Sequence, residues 1–320
     1  MNRIIPYLPS RRIVHVNDIA GVGASLVRGL REFGEDATLR SIPDKRTVKN
    51  EGALALARLA NIARWRLVAN RYDILHLHYV THSQYLRGFK GNVVAHAHGS
   101  DLLGRRRTRA LKYAAYRADI FLYSTKNLRS LATQLRSDAI YLPNPIDEKV
   151  FQMGLLDRDT EYDFFVNCRW DGTKGSSELL KIATDLLGKG FTVFGLDWGI
   201  DAPLARSVGV HLLPLMNKSN FLLALQRAKV VIGQQKLGAL GISDLETIAL
   251  KKPLVANGEL ENLPIYDTYG RNSADLALEA IEELQTSAQK TRLEQASREV
   301  KRIHEVSRVS RELVDLYEQI

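Results

Sequence analysis

Ile13-Val14-His15-Val16-Asn17-Asp18-Ile19-Ala20-Gly21-Val22-Gly23 is the stretch on which the fold turns. Its first four residues are a short apolar run of strand length, and Asn17 to Gly23 is a turn. A helical stretch follows, with Leu26, Val27, Leu30 and Phe33 on one face and Gly34 as its stop. Strand, turn and amphipathic helix are the first half of a βαβ unit. Strands joined in this way run parallel, with helices packed on the sheet.

The pattern recurs along the chain. Asp73 to Leu77, Val93 to Ala97, Ile120 to Tyr123 and Ile140 to Leu142 read as further strands. It breaks near Pro143-Asn144-Pro145-Ile146-Asp147, and a polar stretch runs from Asp157 to Tyr162. It restarts with Phe164 to Cys168, Phe191 to Phe194, Val210 to Leu213, Val230 to Ile232 and Pro253 to Ala256. This predicts an α/β protein of two αβα domains, residues 1–155 and 156–320, with a cleft between them. Ligands of such sheets sit beyond the carboxyl ends of the strands, so functional residues are expected just after them.

With 320 residues, 45% of them hydrophobic, the chain can bury two cores. It contains no apolar run long enough to span a bilayer. Met1 to Arg12 lacks the apolar centre of a signal peptide, so a cytoplasmic location is expected. The single cysteine, Cys168, excludes an intrachain disulfide and a cysteine-rich metal site. The net charge of +9 favours an anionic partner, whether phosphate-bearing substrate, nucleic acid or acidic membrane.

Five segments can carry chemistry. Asp18 to Gly23 offers Gly21 and Gly23 for close backbone approach and a helix start for an anion. Asp73-Ile74-Leu75-His76-Leu77-His78 and Val94-Ala95-His96-Ala97-His98-Gly99-Ser100-Asp101 set histidines at i, i+2 on strand faces. His76 and His96 read as interior histidines, and a neutral imidazole such as His98 can hydrogen-bond a hydroxyl or shuttle a proton. A metal held by the paired histidines is a rival reading, which no partner motif supports. Leu142-Pro143-Asn144-Pro145-Ile146-Asp147 with Phe151 marks the domain boundary. Arg169-Trp170-Asp171-Gly172-Thr173-Lys174-Gly175 places two cations at a strand end, where a guanidinium forks phosphate oxygens and an ammonium adds a point charge. Gly238 to Ala249 holds Gly241 and Glu246. Ser243-x-x-Glu246 also reads as a capping box, which would spend the glutamate on a helix start.

Taken together, these segments resemble glycosyltransferase family 4 of the GT-B fold, over most of the chain. The resemblance implies two Rossmann-like domains, an N-terminal one for the acceptor and a C-terminal one for a nucleoside diphosphate sugar. The last helix, near 303–320, would cross back to the first domain. It implies transfer with retention of configuration and no protein-bound metal or other cofactor. It assigns Arg169 and Lys174 to the donor diphosphate, Glu246 to the ribose hydroxyls and His98 to the transferred sugar. Gly241, Gln235 and Asn144 join the donor side, and Gly21, Gly23 and Asp101 the acceptor side. Two departures stand out. Pro145 replaces the family's glycine, and Gly238 occupies the place of a glutamate that contacts the donor sugar.

The expected acceptor is a glycan, lipid-linked or otherwise membrane-associated. Leu54 to Val68, with Trp65 and several arginines, and the basic run Arg105-Arg106-Arg107-Thr108-Arg109 suit an anionic membrane surface at the inner face. Nucleic acid is not an expected partner. The alternatives are a DNA-modifying GT-B enzyme and a non-catalytic nucleotide-binding subunit of a glycosylation complex.

Overall fold

The computed structural model describes residues 11–44, 47–48, 50–104, 109–156, 159–258, 265–268 and 271–320. The expectations placed on residues 1–10, 105–108 and 157–158 lie outside it. The chain forms two compact units, Met1–Pro145 with Val306–Ile320, and Ile146–Glu305.

The first unit runs β1 (Arg12–Val16), α1 (Val22–Glu32), β2 (Asp36–Arg40), α2 (Glu51–Val68), β3 (Ile74–His78), β4 (Asn92–Ala97), α3 (Ser100–Leu103), α4 (Arg109–Arg117), β5 (Ile120–Tyr123), α5 (Arg129–Leu135) and β6 (Ile140–Tyr141). Its strands are parallel, in the order β2-β1-β3-β4-β5-β6. Val14, Val16, Leu75, Leu77, Val93, Ala95 and Phe121 point to one face and join a core closed by Trp65, Tyr85 and Leu111. Residues of the other parity, among them Ile13, Ile74, Val94 and Leu122, are buried too. Burial on both faces explains why these strands read as apolar runs. β2 gave no such signal because it is an edge strand, with only Ala37 buried.

The second unit runs α6 (Glu148–Met153), β7 (Tyr162–Val166), α7 (Ser176–Gly188), β8 (Val193–Leu196), α8 (Ala202–Ser207), β9 (His211–Leu213), α9 (Lys218–Arg227), β10 (Ala228–Ile232), α10 (Ile242–Ala249), β11 (Leu254–Ala256), β12 (Tyr266–Asp267), α11 (Ser273–Glu282) and α12 (Ser287–His304). The parallel order is β12-β11-β10-β7-β8-β9. Side chains alternate between two cores. Phe165 and Val231 face one, and Phe164, Val166, Val230 and Ile232 face the other.

The division between the units falls at Pro145/Ile146, earlier than the 155/156 expected. The cause is packing: Ile146, Val150 and Phe151 are buried in a core of the second unit. At the other end Glu305 adopts an extended conformation after α12. The chain then forms α13 (Val306–Tyr317), which belongs to the first unit. There α13 packs on α1. Gly29 permits the approach, since a Cβ there would lie 2.9 Å from Ser310 Cβ and 3.2 Å from Val306 Cγ2. Phe33 does not share the buried face of α1. It caps the helix, is partly exposed, and lies under the Arg311 guanidinium.

Candidate functional site

Each sheet has one point where the chain's direction of travel across it reverses. In the first unit it lies between β1 and β3, and in the second between β7 and β10. Loops leaving adjacent strands on opposite sides open a crevice there, the usual ligand position of such sheets. Gly21 and Gly23 follow β1, Arg169 and Lys174 follow β7, and Gln235, Gly241 and Glu246 follow β10, while His98 and Asp101 follow the neighbouring β4 and Asn144 follows β6.

In the second unit the loop after β7 carries Arg169 and Lys174. Arg169 is held in place: its Nε lies 2.9 Å from Asp171, a second nitrogen donates to Thr173 Oγ1 at 3.3 Å, and its plane lies over Trp198. Gly175 takes a left-handed φ of +81° and starts α7, beside the backbone of Gln235. A Cβ on Gly241 would lie 3.9 Å from Lys174 Nζ. Lys174, Gly241 and Asp244 therefore converge where α10 begins. The Asp244 carboxylate accepts the Gly241 N–H at 2.8 Å and an Asn167 N–H at 3.0 Å. Burial raises its pKa, and Lys174 among others opposes the rise.

Asp244, not Glu246, therefore completes the helix cap, so the capping-box explanation for Glu246 falls away. Glu246 is buried and meets the Lys218 ammonium at 2.5 Å. Burial raises its pKa, and the Lys218 charge opposes the rise. Lys218 comes from the start of α9, a segment without any chemical motif. Gln235 is placed differently from the expectation of a donor contact. Its amide is buried, donates to Gly233 O and Val255 O, and accepts from Ser273. Gln234 is also inward. It donates to Ala239 O and Asn257 O and accepts the N–H groups of Lys236 and Leu237, so it shapes the loop that carries Gly238. Gly238 has φ +63°, a conformation that a glutamate side chain would hold only with strain.

In the first unit Gly21 has φ +87° at the start of α1. A Cβ on Gly23 would fall 2.8 Å from Asn17 O. The helix start is partly satisfied from within, since Asp18 accepts the Ala24 N–H at 3.2 Å. Asp101 is buried and accepts N–H groups of His98, Gly99 and Val80, which ties the loops after β3 and β4 together. Burial pushes it up to about 6. Asn144 is buried and belongs to this unit, and its side chain favours a proton on His98.

His76 and His96 are interior, as are His15 and His78. The register sets His15 opposite His76, and His78 opposite His96. Burial lowers all four, His15 to about 3, and His98 to about 4. At neutral pH they are uncharged rings, each with one N–H and one lone pair. Two triads, His15/His76/His78 and His78/His96/His98, hold ring nitrogens within 4.8 Å of one another. His15 was missed from the sequence because a single histidine in an apolar strand carries no motif.

No protein-family model matches this chain, and no curated protein does. Solved structures do resemble it. Anabaena HepE, solved with UDP and glucose, is 12% identical, with 97% of this chain and 100% of that one covered and a TM-score of 0.68. A glycosyltransferase from Rickettsia africae is 12% identical over 98% of this chain and 99% of that one, TM-score 0.70. An α-glucosyltransferase solved with UDP-glucose and DNA containing an abasic site is 16% identical over 95% and 98%, TM-score 0.69. At such identities the likeness establishes the GT-B fold.

Proposed function

We propose that the chain is a retaining glycosyltransferase of family 4, moving a sugar from a nucleoside diphosphate sugar to a glycan or lipid-linked acceptor. The observation that carries this is the convergence of Lys174, Gly241 and Asp244 at the β7/β10 reversal, with Arg169 held ready nearby. Two cations beside helix starts suit a diphosphate, and they would stabilise it as it leaves. Glu246 would accept the ribose hydroxyls, with Lys218 setting its charge. His98 would meet the transferred sugar. The complexes of the structural neighbours with UDP and UDP-glucose favour a uridine donor. No step needs a protein-bound metal.

Thermal stability with UDP, GDP, ADP, CMP and dTDP, each with and without chelator, tests this reading. UDP at one hundred times its dissociation constant should add about 2.7 kcal/mol. The gain should be indifferent to chelator and vanish with Lys174→Ala. Failure of every nucleotide to raise the melting temperature would move the non-catalytic alternative to the front.

The acceptor is proposed to be membrane-associated. α2 leaves Leu56, Leu59 and Leu67 exposed at 70%, 64% and 82%, beside exposed Arg64 and Arg66. An apolar stripe with flanking arginines suits an anionic interface. Trp65, expected on that face, is instead buried and donates to Tyr85 O at 2.7 Å. Among the described residues no helix is long and apolar enough to cross a membrane. Co-sedimentation should be strong with anionic vesicles and weak with neutral ones, and Leu56→Ser with Leu59→Ser should abolish it. Equal recovery with both vesicle types would refute the proposal.

A further inference from the structure

Five of the eight histidines stand in one hydrogen-bonded line with Tyr317. His98 Nε2 lies 3.0 Å from His78 Nδ1, and His78 Nε2 lies 2.9 Å from His15 Nδ1. His15 Nε2 lies 3.1 Å from the Tyr317 hydroxyl, which lies 2.6 Å from His76 Nδ1. His76 Nε2 lies 3.2 Å from His96 Nδ1. Followed from His98, every later ring is entered at Nδ1 and left at Nε2. The outer nitrogens of the end rings, His98 Nδ1 and His96 Nε2, are buried and make no hydrogen bond of normal geometry among the described residues, although the Asn144 side chain and the Leu142 backbone lie beside them.

A neutral imidazole donates from one nitrogen and accepts at the other, and a hydroxyl does both. In such a line the choice at one ring dictates the choice at all. If one ring carries its proton on Nε2, every other ring must, and the phenol O–H points from His15 toward His76. The reverse state has every proton on Nδ1. A mixed line would set two N–H groups or two lone pairs against each other inside a dry interior, where each conflict is costly. The Leu142 backbone favours a proton on His96, whose Nδ1 is already engaged with His76. A carbonyl can only accept, whereas the Asn144 amide can reverse and donate, so the fixed Leu142 acceptor decides against the pull of the Asn144 oxygen and selects the Nε2–H state, in which His98 Nδ1 is a lone pair. The Asn144 amide beside His98 can turn either end to it.

We propose that Tyr317 is a positioning residue, which through the buried rings fixes His98 as the Nε2–H tautomer and so makes its outer nitrogen a hydrogen-bond acceptor. An acceptor there would orient a sugar hydroxyl by taking its proton in a hydrogen bond. That consequence rests on the proposed glycosyl transfer, while the coupling along the line does not. Tyr317 stands on α13, and among the described residues its hydroxyl is the only hydrogen-bonded link between the His98-His78-His15 half and the His76-His96 half of this line, whose rings otherwise only stack.

Two-bond proton–nitrogen correlation spectra of the 15N-labelled chain at neutral pH test the coupling without any sugar donor. All five rings should show the Nε2–H pattern, while exposed His211 serves as the internal reference. Tyr317→Phe should turn His98 from a single tautomer into a mixture. Any one of three results overturns the proposal: unlike tautomers within the wild-type line, an unchanged His98 in folded Tyr317→Phe, or a stoichiometric first-row metal on these rings in the purified protein. Should Tyr317→Phe fail to fold, the wild-type spectrum and the metal analysis still decide. Uniform tautomers without sugar transfer would leave the coupling standing and sink the enzymatic reading. Transfer with mixed tautomers would do the opposite.

Discussion

Replacing Lys174 with methionine is expected to lower sugar transfer by about 10²–10³-fold, the usual cost of deleting one group that stabilises developing charge. Methionine keeps much of the aliphatic stem, so the loss reports on the ammonium and not on packing. Lys174 is half-buried and its backbone carbonyl, which accepts from Gln235 N, is retained. The fold should therefore survive, with a change in melting temperature of no more than a few degrees. The loss should appear in kcat as well as in KM, because on the proposed transfer a diphosphate would gain charge as it leaves. Arg169→Ala should cost less. Asp171, 2.9 Å from its guanidinium, already offsets part of its charge. The double variant should lose less than the product of the single losses, since both would act on one diphosphate. Steady-state transfer with each variant measures this. Near-normal turnover by both single variants would refute the diphosphate assignment.

How far the sequence carried this site depended on whether partners are close along the chain. Arg169, Lys174 and Gly241 follow strands whose apolar runs are plain, because both faces of the second sheet are buried. Glu246 was ambiguous, since Ser243-x-x-Glu246 has the spacing of a capping box. In the fold the helix starts two residues earlier, and Asp244 takes the capping contact with the Gly241 N–H while also meeting Asn167 from β7's loop. Lys218, the partner of Glu246, comes from another helix and carries no pattern. Gln235 misled for a related reason: an amide beside a glycine loop looks available, and only the fold shows that it is consumed by Gly233, Val255 and Ser273. The i, i+2 histidines were legible as a shared strand face. Their line was not, because it closes through Tyr317, far away in sequence from both His15 and His76.

The same buried rings should make the first unit acid-labile. Unfolded, each ring takes a proton near its ordinary value of 6.5. Folded, burial holds His15 at about 3, and His76, His78 and His96 well below that ordinary value. Between those limits the unfolded chain binds more protons than the folded one, so stability is full above about pH 6.5 and falls as the pH drops. From about pH 7 to pH 5 the loss is about 2 kcal/mol for each wholly buried ring that stays neutral in the fold. His15 alone thus loses a good part of the whole stability of an ordinary domain, about 5–15 kcal/mol, and His76, His78 and His96 lose in the same direction. Asp101 works the other way. Its folded value of about 6 exceeds the ordinary 3.8, so acid relieves its burial and returns about 1 kcal/mol over the same interval. In the second unit, burial likewise raises Asp244 and Glu246, and both should favour the fold as the pH falls. Hydrogen exchange corrected for intrinsic rates should therefore show β1, β3 and β4 losing protection near pH 5 while β7 and β10 keep theirs. His15→Gln should shallow the pH dependence by up to about 1.4 kcal/mol per pH unit, one proton's worth, whatever it does to stability at neutral pH. Protection of β1, β3 and β4 that stays constant from pH 7 to pH 5 would mean that these rings take up protons in the folded chain, and the uncharged line would have to be abandoned.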